Sequence, residues 1–131
     1  VFLRFVRPQR VEDTGHREGF FCAAYELREK QDLDEFSSAQ LEEYLAWFRE
    51  NLPIPARFSR SRSQSASQQS TRGLSWFKPQ AAEALGKAHG LMALLQSHGY
   101  VFETLRSDRI GYVVYEDDWQ VVAEPFADTE T

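Results

Sequence analysis

The spacing of apolar residues changes from two, to three-and-four, and back to two along the chain. "VFLRFV" at the start is rich in β-branched and aromatic residues and stops at Pro8. It predicts a first strand, ended where proline removes a ladder donor. "VEDTGH" follows as a turn. From about His16 to Lys30, Phe20, Ala23, Ala24 and Leu27 fall on one helical face, with Thr14 placed to cap. "QDLDEFSS" is a connection. Ser37 or Ser38 is placed to cap a second helix, whose stripe is Leu41, Leu45, Phe48 and Leu52, flanked by Tyr44. "NLPIP" ends it, because proline cannot continue the backbone bonds.

After an arginine–serine stretch without apolar periodicity, "LSWF" reads as a short strand. Pro79 suits the first position of a third helix, with Ala81, Leu85, Ala88, Met92 and Leu95 as its stripe and Gly99 as a left-handed cap. Then "YVFETL", "GYVVYE" and "WQVVAEPF" alternate as strands. The short turns "RSDRIG" and "EDD" make them an antiparallel meander. The order is β-α-α-loop-α-β-β-β. It predicts a single α+β domain over 1–131, with three helices on a mainly antiparallel four-stranded sheet that includes the first strand.

Composition supports a packed domain. The chain has 131 residues, 42% hydrophobic and 14% aromatic, enough for a real core. The formal net charge is −5, which argues against a general nucleic-acid coat protein. The charge is strongly segregated, however. Arg57, Arg60, Arg62, Arg72 and Lys78 lie in a stretch from Asn51 to Ala82 that has no acid, and Arg4, Arg7 and Arg10 precede the first acid. All 20 acidic side chains lie elsewhere. The segment at about 56–73 reads as a mobile loop, since its composition buries too little surface to offset ordering entropy. Cys22 is the single cysteine, which excludes an intramolecular disulfide and a cysteine-based zinc site and suits the cytoplasm. No signal-peptide pattern and no apolar run of membrane-spanning length is seen, so no membrane partner is expected.

Little in the chain is catalytic in pattern. Glu116, Asp117 and Asp118 in "YEDDW" are close enough to share a cation, but a hairpin turn uses aspartate for local backbone bonds. His89 and His98 are nine residues apart on one helix, about 900° of rotation, and so face opposite sides. Cys22 lies off the apolar face of its helix, with no base placed beside it. No glycine-rich phosphate loop, nucleophile elbow or HExxH pair occurs. No catalytic residue, metal ligand or cofactor is assigned.

"ENLPIPARFSRSRS", "GLSWFKPQA" and "GYVVYEDDWQVVAEPF" together resemble a family of small uncharacterised bacterial proteins, over most of the chain. The resemblance implies a bacterial cytosolic protein in which "RFSRSRS" and "WFK" form a joint site. It brings no catalytic residue with it.

The expected function is a non-enzymatic binding or adaptor module. Its surface is Arg57, Arg60, Arg62, Arg72, Trp76, Phe77 and Lys78. The arginines supply charge-assisted hydrogen bonds to an anionic partner, a protein or nucleic acid, and the aromatics a desolvated anchor. The alternative is a nucleic-acid-associated protein, with the same arginines on phosphates and Trp76 or Phe77 stacking on a base. A third option is a small enzyme in which Glu103, Asp108 or Asp117 meets His98 or His16. An apolar outer face of the sheet would be covered in a homodimer.

Overall fold

β1 (Phe2–Arg10) organises the sheet by pairing on both of its edges. The computed structural model describes residues 1–52 and 73–131, so Arg57, Arg60, Arg62 and Arg72 lie outside the described residues. Along the chain follow β2 (Arg17–Gly19), α1 (Phe20–Arg28), α2 (Glu35–Asn51), β3 (Leu74–Phe77), α3 (Ala82–Ser97), β4 (Glu103–Ser107), β5 (Tyr112–Glu116) and β6 (Gln120–Glu124). Among the described residues the fold is α+β with three helices, and every strand pairing is antiparallel.

The sheet departs from the expected meander. β5 and β6 pair as a hairpin, but β4 pairs with β1 in full register, from Phe2↔Ser107 to Val6↔Glu103. β3 joins the two halves, pairing Leu3↔Phe77 on one side and four residues of β6 on the other. Val6 pairs with Gly19 as well as Glu103, and Leu3 with Phe77 as well as Arg106. β2 and β3 therefore share one edge of β1, and β4 takes the other. A flat arrangement would hold β4 and β5 roughly 19 Å apart. That is about the full reach of the four residues linking them, so the sheet curls.

Alternation along the strands divides the core in two. Phe5 and Phe77 face the helices. There they meet Phe20, Ala23, Ala24 and Leu27 of α1, Leu41, Leu45 and Phe48 of α2, and Ala84, Ala88, Leu91, Met92 and Leu95 of α3. Val6, Trp76, Leu105, Ile110, Val121 and Ala123 form a second cluster on the inside of the curl. β6 is buried along its whole length, as a central strand covered on both faces should be.

Local chemistry corrects three helix starts. α1 begins at Phe20, because Arg17–Gly19 is drawn into pairing with β1. Thr14 instead accepts from the His16 amide within the β1–β2 turn. α2 is capped by Asp34, whose carboxylate accepts from the Ser37 amide at 3.0 Å. Burial pushes this group less than the hydrogen bonds do: the Ser37 amide and hydroxyl, the largest causes, hold the Asp34 carboxyl below its ordinary value. Pro79 occupies a turn closed by the Ala81 amide on the Lys78 carbonyl, ahead of α3, where its fixed φ suits the second turn position. The end of α3 is as expected. Gly99 has φ +96°, its amide bonds to Gln96 and that of Tyr100 bonds to Leu95, a Schellman cap.

Candidate functional site

The residues chosen from the sequence separate into three groups. The four arginines lie outside the described residues. Trp76 is fully buried and Phe77 nearly so. This corrects their reading as a binding anchor: β3 is a central strand, so its alternating side chains fill both cores and neither offers a face to a ligand. Lys78 is largely buried too, and its ammonium pairs with Glu116 at 2.6 Å. It fastens the end of β3 to the β5–β6 hairpin.

The acidic turn works as a hairpin clasp. Asp117 accepts from the amides of Trp119 and Gln120, both at 2.9 Å, from the Gln120 side chain at 3.1 Å and from the Tyr115 hydroxyl at 3.0 Å. Burial pushes its carboxyl up, but those hydrogen bonds outweigh burial and hold it below the ordinary value. The other members of the acid–histidine option are also dispersed. Glu103 binds Arg17, Asp108 binds the Val1 amine, His98 meets the Ser37 hydroxyl, and His16 Nδ1 meets Thr131 Oγ1. Among the described residues, no three His, Cys, Asp or Glu side chains gather as a metal site. Cys22 is exposed, and desolvation with a hydrogen bond to Glu18 raises its pKa, the reverse of nucleophile activation.

Cationic chemistry gathers instead at one end of the curl. Alternation sets Arg4 between Phe2 and Val6, facing inward. Arg4 is 7% exposed, and its guanidinium donates to the carbonyls of Thr131 at 2.9 Å and Arg17 at 2.7 Å. Burial, and then the neighbouring Arg17 charge, bring its pKa down to about 10. Arg17 lies on β2, at one edge of β1, and reaches across to Glu103 on β4 at the other edge, 2.8 Å away. Its Nη2 donates to Glu130, while its buried Nε has no partner. Arg10 donates to the Gly15 carbonyl and stands 3.6 Å from Glu130. Burial, followed by the Arg4 and Arg10 charges, lowers the pKa of His16.

This cluster backs onto a groove of about 1200 Å³, lined among others by Arg10, His16, Leu74, Tyr112, Phe126 and Glu130. Tyr112 and Phe126 meet edge to face at 4.7 Å on its wall. Sequence reading counted Arg4 and Arg10 as basic but did not place them. The available signal was an arginine at an inward strand position between Phe2 and Val6.

Elsewhere, Trp47 of α2 stacks on Trp119 of the hairpin turn, 5.3 Å between centroids and 8° from parallel, which pins the helical layer to the sheet. No helix among the described residues is long and apolar enough to cross a membrane. No protein-family model, no curated protein and no solved structure matches the chain.

Proposed function

We propose that the chain is a non-enzymatic binding module that engages an anionic protein partner through Arg57, Arg60, Arg62 and Arg72. The observation that carries this reading is charge segregation. Residues 53–72 hold four arginines and no acid, while all 20 acidic side chains belong to the body around them. A local positive field survives a negative total, and guanidinium forks match carboxylates in a bidentate way. Trp76, Phe77 and Lys78 take no part in the contact. They belong to the scaffold that carries the segment between α2 and β3.

The burial of Trp76 and Phe77 removes the base-stacking face on which the nucleic-acid alternative drew, leaving phosphate contacts alone. The test is a binding titration of the protein and of R57A/R60A/R62A/R72A. The probes are a glutamate-rich peptide and single- and double-stranded DNA and RNA, at low and moderate salt. The module reading expects peptide binding that is lost in the variant. Preference for nucleic acid over the peptide, with a salt slope near −3 to −4 for four phosphate contacts, would replace it by the alternative. Binding equal in both proteins would remove the arginine segment from the account.

A further inference from the structure

We propose that the Arg10–Glu130 end of the groove, with Arg17 buried behind it, is a binding site for an oxyanion, a carboxylate or phosphate group, whose place Glu130 holds in this structure. The site lies wholly among the described residues and does not depend on the arginine segment.

Three observations carry it. The first is an asymmetry of burial. The Arg17 side chain is 9% exposed and that of Glu130 is 63% exposed. Glu103 at 2.8 Å keeps the buried guanidinium paired, whereas a carboxylate as exposed as Glu130 loses little on returning to water. The Glu130 position is thus suited to exchange one anion for another. The second is the orphan donor. Glu130 takes Nη2 through one oxygen, Oε1, and leaves the buried Nε of Arg17 without a partner. An oxyanion lying side-on would accept from Nε and Nη2 together, the bidentate arrangement that a guanidinium favours.

The third is the surrounding charge. Arg10 is half exposed at the groove rim and shares Glu130. Arg4 stands behind Arg17, donating to backbone carbonyls and, among the described residues, to no Asp or Glu side chain. Glu103 remains on Nη1 of Arg17, on the far side of β1. Asp13, Glu124 and Asp128 also line the groove, Asp128 being paired with Arg109. They make the rest of the groove unfavourable to an anion and confine the site to its arginine end.

The Arg17 Nε–H can be followed directly by ¹⁵N–¹H NMR. The protein is titrated with inorganic phosphate and, separately, with acetate, each against sodium chloride at equal ionic strength. The expected result is a saturable shift of the Arg17 Nε–H with phosphate, acetate or both, and none with chloride; which of them saturates names the source of the oxyanion. Glu130→Gln removes the competing charge and is expected to tighten binding on the order of fivefold. Arg17→Lys keeps the charge but lacks the fork, and is expected to abolish saturation read at the Arg10 Nε–H. A response no different from chloride, or a Glu130→Gln protein that binds no tighter, would overturn the proposal. The R57A/R60A/R62A/R72A protein should respond as wild type does, so failure of the arginine segment and failure of this site are read separately.

Discussion

The two faces of the curled sheet solve burial differently. The helix-covered face is mainly apolar, with Phe5 in contact with Phe20 and Phe77 at centroid distances of 6.0 and 5.8 Å and with the His89 ring at 5.2 Å. The inner face has a smaller apolar cluster around Trp76, and beside it two nearly buried arginines. Three amphipathic helices supply the first face with enough apolar surface that no arginine is buried within it among the described residues. The second has only strands and turns to close it, so backbone carbonyls and exposed carboxylates complete it through Arg4 and Arg17. Chemistry that can be exchanged with a ligand lies on the side that packing alone does not finish.

Substitutions can break or sharpen that contrast. The largest effect is expected from Trp76→Ala. It should cost about 4 kcal/mol by urea unfolding, a loss as large as that of a fully buried helix-side residue such as Leu91→Ala, because both leave cavities in closed cores. If Trp76→Ala costs under about 1 kcal/mol, the inner face is no core and the comparison fails.

Gly111→Ala comes next, at about 3 kcal/mol. Gly111 has φ +127°, and a methyl there would overlap the Glu124 carbonyl. This residue turns the chain from β4 toward the opposite edge of the sheet. Asp117→Ala should cost roughly 1–2 kcal/mol, since it strips partners from two backbone amides and from Gln120, which is 2% exposed. Because the folded Asp117 carboxyl titrates below its unfolded value, its contribution is present above about pH 4 and lost as pH falls through the folded pKa. The stability–pH curve of Asp117→Ala should therefore be flatter than wild type below about pH 4. The smallest change is expected for Lys78→Gln, within about 1 kcal/mol, because Glu116 is half exposed.

Much of the helical layer was legible in the sequence. The faces Phe20–Ala23–Ala24–Leu27 and Leu41–Leu45–Phe48–Leu52 are buried as their spacing requires, and Gly99 caps α3 as its position implied. These features rest on contacts within a few residues, which periodicity encodes. The sheet was only partly legible. That β4 seeks β1 across a hundred residues, and that "LSWF" is the strand joining both halves, are outcomes of long-range pairing that no local pattern carries. The same limit governed the site. Trp76 and Phe77 look like surface anchors beside a basic stretch until β3 is known to be central. Arg4 looks like one more surface charge until β4 and β2 enclose β1.

The central claim is that scaffold and contact are separate, with β3 building the fold and the arginines of residues 57–72 binding the partner. It is tested most directly by measuring the affinity of three proteins for a glutamate-rich peptide at one low salt concentration: wild type, R57A/R60A/R62A/R72A and Trp76→Phe. The account expects the arginine variant to lose binding at least tenfold while folding as wild type, and Trp76→Phe to bind unchanged despite its lower stability. A folded arginine variant that binds as wild type, or a folded Trp76→Phe protein that does not bind, would contradict it.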